Sequence, residues 1–126
     1  MVGIVIISHS RPLAEGAAEL AREMGVGKAV VEAAGGGPDG GLGTSPDLVE
    51  QAVATADDGD GVLLLADIGS SVLAARLLVE DYEGRAVLAD APLVEGAVAA
   101  ASAAAAGVDL DGVRAAAESA RDLHKR

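Results

Sequence analysis

Four short apolar runs, each released into a stretch of helical periodicity, limit this chain's fold more than any other feature. "GIVIIS" at 3–8, "KAVVEAA" at 28–34, "GVLLLAD" at 61–67 and "RAVLAD" at 85–90 have the length of strands. The segments after them repeat apolar residues at three- and four-residue spacing. A run of Ile and Val without polar alternation is a strand buried on both faces, which points to a parallel sheet. Alternating strands and helices then require right-handed crossovers. The expected class is α/β: a three-layer, doubly wound, mostly parallel central sheet with helices on both faces. The 126 residues contain no linker and are expected to form a single domain, 1–126. A domain of this size buries roughly two thirds of the surface its unfolded form exposes.

Small residues punctuate the pattern. The first helix is expected from about Pro12, suited to a first turn, to Met24, with Gly25 at its end. The stretch "GGGPDGGLGTSPD" is too rich in Gly for regular structure and leads to a helix with Ser45 as cap and Pro46 at its first position. "IGSSVLAARLLVEDY" turns through Gly69 into a helix for which Ser70 or Ser71 fits as cap, and "PLVEGAVAAASAAAAG" is closed by Gly107. A last helix, capped near Asp109 or Asp111, is expected to reach the final residue, with His124, Lys125 and Arg126 matching the negative end of its dipole.

Composition removes several classes of function. The net charge is -11 and Lys and Arg number only nine, scattered along the chain, so there is no basic patch for a nucleic-acid backbone. Tyr82 is the only aromatic residue, which leaves no platform for stacking bases. With no cysteine, disulfides, thiolate metal sites and thiol nucleophiles are excluded. The N-terminal apolar run is too short and too uncharged for a signal peptide, and no apolar stretch reaches membrane-spanning length. The expectation is a cytoplasmic protein without nucleic-acid or membrane partners. Its acidity reads as a solvated surface or as adaptation to a salty cytoplasm.

Ligands of open parallel sheets collect beyond the carboxyl ends of the strands. The residues at those ends are Ser8 and His9, the Gly-rich loop with Thr44, Asp67 with "IGSS", and Asp90 with "APLVEG". Each has a plain structural explanation: a hydrogen-bonded histidine, turn-capping aspartates, a connecting loop, helix-capping serines. Together they form the parts of a phosphohistidine site. A neutral imidazole is a nucleophile toward phosphorus, a carboxylate on its other nitrogen fixes the tautomer, and N–H groups around Gly69, Ser70 and Ser71 can hold an incoming anion. Metal chemistry fits poorly: His9 and His124 are the only histidines and no ligand spacing joins them. "GGGPDGGLG" lacks the strand–turn–helix frame of a dinucleotide fingerprint. No tightly bound cofactor is expected, only a phosphoryl group carried on His9.

The segments "IVIISHSRPLAEGAAELA", "GGLGTS", "LLADIGSSVLAARLL" and "DAPLVEGAVAAASAA", in that order, resemble the DhaM family. These are phosphotransfer subunits of bacterial phosphoenolpyruvate-dependent dihydroxyacetone kinases, relatives of the mannose-family EIIA domain of the phosphotransferase system. The resemblance implies a homodimer and a phosphotransferase subunit whose histidine accepts a phosphoryl group from the phosphocarrier HPr. The group then passes to ADP on the DhaL subunit, which phosphorylates dihydroxyacetone held on DhaK. The histidine of the family's "SHS" falls on His9, the third-strand aspartate of D-x-G-S on Asp67, and the "GT" threonine on Thr44. Ser10, Thr44, Gly69, Ser70 and Ser71 are expected to contact the phosphoryl group. Some family members carry fused HPr and enzyme I-like domains, so separate donor proteins are expected here. A mannose-family sugar-transport EIIA domain is the neighbouring reading, which "APLVEG" disfavours. A receiver-like regulatory module with Asp67 as acceptor is the reading from another class; receivers need an acidic pair after the first strand, where this chain has "SHS".

Overall fold

A computed structural model describes residues 1–126. Strands β1 (Gly3–Ser8), β2 (Val30–Gly35), β3 (Val62–Ala66) and β4 (Ala86–Leu88) form one sheet in the order β2-β1-β3-β4. Every pairing is parallel. Helices α1 (Arg11–Met24), α2 (Pro46–Ala56), α3 (Gly69–Asp81), α4 (Leu93–Ala105) and α5 (Leu110–Ser119) complete the α/β fold expected from the alternating pattern.

Strand side chains alternate between faces, and the central strand feeds two cores. Ile4 and Ile6, with Val31, Leu63 and Leu65, pack under the alanines of α1 and α4 and under Leu110 and Val113 of α5. Val5 and Ile7, with Val62 and Leu64, pack on the opposite side against Val49 and Val53 of α2 and Ala75 of α3. All six residues of β1 are buried. Each such Ile, Leu or Val contributes roughly 1.5–3 kcal/mol by leaving water. Small residues set the spacing between layers. A Cβ on Gly3 would overlap the Ala56 carbonyl at the end of α2, so glycine lets that helix close on the sheet.

Three strands are shorter than the apolar runs predict. Lys28 and Ala29 lie in the turn before β2, Gly61 and Asp67 flank β3 instead of joining it, and β4 keeps only Ala86–Leu88 at the edge of the sheet. Ser45 and Asp109 cap α2 and α5 as expected, each accepting an N–H from three residues on. Neither Ser70 nor Ser71 caps α3: Ile68 holds the cap position with no side-chain bond. The final helix also stops early. It ends at Ser119, tightens into a single 3-10 turn at Ala120–Asp122 and leaves Leu123–Arg126 outside regular structure. His124 is therefore not in a helical turn. Alanine propensity favours continuing the helix, but the tail is drawn across the start of α4, where Lys125 meets Glu95 at 2.6 Å and Arg121 meets Asp90 at 3.2 Å. No helix is long and apolar enough to cross a membrane.

Candidate functional site

The carboxyl ends of β1 and β3 are neighbours, with Ile7 beside Ala66. One further bond, from the Asp67 N–H to the Ile7 carbonyl at 3.1 Å, brings the residue after β3 level with the end of β1. Ser8, His9 and Asp67 meet there because the sheet order makes them meet.

Asp67 is saturated with donors. Its Oδ1 accepts the Ile68 N–H at 2.7 Å and faces His9 Nδ1 at 3.0 Å. Its Oδ2 accepts the Ser8 hydroxyl at 2.8 Å and the His9 N–H at 3.1 Å. Burial works to raise the carboxyl's pKa, but the N–H groups of Ile68 and His9, the Ser8 hydroxyl and the His9 ring outweigh it and hold it well below the usual carboxylate range. The carboxylate is thus ionised and only 14% exposed, and an ionised acceptor requires the proton on Nδ1 of the ring. That leaves Nε2 with the lone pair.

Nε2 points to the start of α3, where the Ser70 hydroxyl stands 2.8 Å away. The Ser71 hydroxyl lies 3.1 Å from Nδ1, and Thr44 Oγ1 joins the two serines at 2.9 and 3.2 Å. Thr44 arrives from the Gly-rich loop, which folds back on itself: Gly36 bridges Thr44 in parallel, and the Gly43 N–H donates to the His9 carbonyl at 3.0 Å. Gly36 and Gly43 adopt φ of +85° and +142°, a region closed to most side chains, so this return path needs glycine. At α3 itself the Ser71 N–H turns back to the Ile68 carbonyl at 3.1 Å. The N–H groups of Gly69 and Ser70 then open the helix without intrahelical partners, at its positive end. The imidazole is 28% exposed, held by Asp67 at Nδ1 and by the Ser70 hydroxyl at Nε2.

Residues 3–114 match the EIIA-man family, described as the PTS system fructose IIA component. Over 106 residues the chain is 40% identical to the phosphoryl donor subunit DhaM of PEP-dependent dihydroxyacetone kinase 2 from Listeria innocua serovar 6a, covering 80% of this chain and 84% of that one. The chain belongs to the DhaM family. It is also 40% identical over 120 residues to the phosphoryl donor subunit DhaM of Escherichia coli K12, covering 90% of this chain but 25% of that protein. The chain thus spans about a quarter of the length of that longer DhaM relative. A crystallised phosphotransferase system component EIIA from Streptococcus agalactiae shares the fold, with a TM-score of 0.72, 15% identity and coverage of 99% and 97% of the two chains.

In this DhaM-family domain His9, Thr44, Asp67, Gly69, Ser70 and Ser71 converge as the strand-end positions predict. Ser10 does not contribute its hydroxyl, which caps α1 by accepting the Leu13 N–H at 3.3 Å. Asp90 shares the rim but is committed to Arg121 and is 91% exposed. The residue that pattern alone leaves unassigned is Ser8. Fully buried, it donates to Asp67 and accepts the Ser10 N–H at 3.0 Å, so it ties the carboxylate to the turn that carries His9. A polar residue closing an otherwise apolar strand was its one visible signal.

Proposed function

We propose that this domain is a phosphohistidine carrier: Nε2 of His9 accepts a phosphoryl group from an HPr-like phosphocarrier and donates it to ADP on a DhaL-type subunit working with DhaK. The observation that carries the reading is the Asp67–Nδ1 pairing, which puts the ring's lone pair on Nε2, where its one partner is the Ser70 hydroxyl. In the transfer that lone pair forms the N–P bond while the bond from phosphorus to the donor's ring nitrogen breaks, and the electron pair returns to the donor. No proton need change hands. The ring gains positive character that the Asp67 carboxylate offsets, and the free N–H groups of Gly69 and Ser70 face the phosphoryl oxygens. Phosphoryl transfer relies on positioning and charge more than on covalent work by the protein, so a small set of groups suffices.

On this reading the chain is the donor subunit of a phosphoenolpyruvate-dependent phosphotransferase, needs no tightly bound cofactor, and works in the cytoplasm as a homodimer. A receiver-like role for Asp67 is disfavoured because both its oxygens are already filled by donors. A sugar-transport EIIA domain would share the His9 chemistry and differ only in the acceptor. Incubation with phosphoenolpyruvate, enzyme I and HPr, followed by intact mass, should show one added phosphoryl group, and none for His9→Ala. Addition of DhaL, DhaK, ADP and dihydroxyacetone should then discharge it. Retention of the label in that mixture, with discharge to a sugar-specific partner, would favour the transport reading. Sedimentation at micromolar concentration tests the dimer.

A further inference from the structure

Three hydroxyls and the imidazole close a ring of hydrogen bonds. It runs from His9 Nδ1 to Ser71 Oγ (3.1 Å), to Thr44 Oγ1 (3.2 Å), to Ser70 Oγ (2.9 Å) and back to His9 Nε2 (2.8 Å). Each hydroxyl has one proton to give, and a neutral imidazole has one N–H and one lone pair. With every contact in the ring used as a donation, there are two senses. In one, Nδ1–H is shared between the Asp67 carboxylate and the Ser71 oxygen, Ser71 donates to Thr44, Thr44 to Ser70, and Ser70 to Nε2. In the other, every donation is reversed and Nδ1 carries a lone pair. That second sense would set a lone pair against a carboxylate oxygen 3.0 Å away, on a carboxylate already held in place by the Ile68 N–H, the His9 N–H and the Ser8 hydroxyl. Asp67 thus selects the first sense, and the selection runs through Thr44 to Ser70.

We propose that Thr44 is a positioning residue: its hydroxyl holds the Ser70 proton aimed at Nε2 while His9 is unmodified and releases that proton to the phosphoryl oxygens once Nε2 is occupied. The proposal rests on His9 being the phosphoryl acceptor. When the N–P bond forms, the Nε2 lone pair is consumed and Ser70 loses its acceptor. Its hydroxyl, still accepting from Thr44, has one proton free to donate, and the nearest new acceptor is an oxygen of the group bound to Nε2. No bond to hydrogen breaks and the proton count is unchanged. Ser70, which touches the transferred group, is then the catalytic contact. Thr44 and the fully buried Ser71 act through it.

The test compares Thr44→Val, which keeps the shape and removes the hydroxyl, with Thr44→Ser, which restores it. In the unmodified protein, ring-nitrogen NMR of His9 should show Nδ1 protonated and Nε2 accepting a hydrogen bond. In Thr44→Val the Nε2 signal should move toward an unbonded nitrogen, and Thr44→Ser should return it. On the phosphorylated proteins, the half-life of the label should shorten roughly two- to tenfold in Thr44→Val, the worth of one neutral hydrogen bond, and recover in Thr44→Ser. Unchanged Nε2 signals and half-lives in a Thr44→Val protein of normal melting temperature would overturn the proposal. If the wild-type protein takes up no phosphoryl group, the carrier reading fails, and the nitrogen signals alone still decide whether Thr44 directs Ser70.

Discussion

Asp67 carries more of the site than any residue except His9 itself. Replacing it by Asn leaves one carbonyl oxygen where two carboxylate oxygens serve four donors, so an amide N–H must face at least one of them. It also removes the charge that offsets the phosphorylated ring. Asp67→Asn should slow transfer from HPr on the order of tenfold to several hundredfold, the range of a charge-assisted hydrogen bond of about 1.5–3 kcal/mol. Rapid-quench rates for both proteins check this, and equal rates would reduce Asp67 to a turn residue. The same residue sets a pH signature. Its carboxyl is held below the ordinary value, so below about pH 3.9 the unfolded chain binds more protons at this position than the folded one. Its stabilisation is therefore complete above that pH and lost as pH falls. The stability gap between wild type and Asp67→Asn, measured by urea midpoints, should be constant at neutral pH and shrink in acid. His9 and Asp67 were legible because strand ends are where chemistry gathers. Ser8 was legible as a strand-end residue but not in its role, because a buried serine looks like a strand terminus until its partners are seen.

At the scale of elements, α3 differs most from expectation, and for a functional reason. "IGSS" carries the residues of an N-cap, yet both serine hydroxyls turn to the imidazole and Thr44, leaving the helix uncapped by side chains. Cap propensity is a local preference, and the site overrides it. The start of α3 also depends on Gly69 at φ +50°, where an ideal Cβ would lie 4.0 Å from His9 Cε1 and Nε2. Gly69→Ala should cost roughly 1–2 kcal/mol in stability for the left-handed backbone. It should also slow phosphoryl uptake, because the added methyl stands at the approach to Nε2. Denaturant unfolding and uptake rates separate the two effects; a variant with full stability and full rate would show that neither the backbone nor the space at Gly69 matters. The central strands were legible for the opposite reason. Ile, Val and Leu runs buried on both faces have few alternatives, whereas the end of α5 depends on ion pairs made by the tail, which periodicity does not encode.

Across the whole molecule, 20 Asp and Glu against nine Lys and Arg leave a surface that repels itself at low ionic strength. The melting temperature should rise from low to molar salt, and equal values would mark the acidity as ordinary solvation. The fold places its chemistry at one point on that surface, where two parallel strands end side by side, a glycine-rich return loop delivers Thr44 and a helix begins. In the proposed function this arrangement makes Nε2 of His9 the atom that carries the phosphoryl group. The most direct measurement is nitrogen–phosphorus coupling in the NMR spectrum of the isotopically labelled protein after phosphorylation by enzyme I, HPr and phosphoenolpyruvate. Phosphorus should be bonded to Nε2 of His9, with Nδ1 still protonated toward Asp67; phosphorus on Nδ1, or on any other residue, would overturn the carrier role proposed for Nε2.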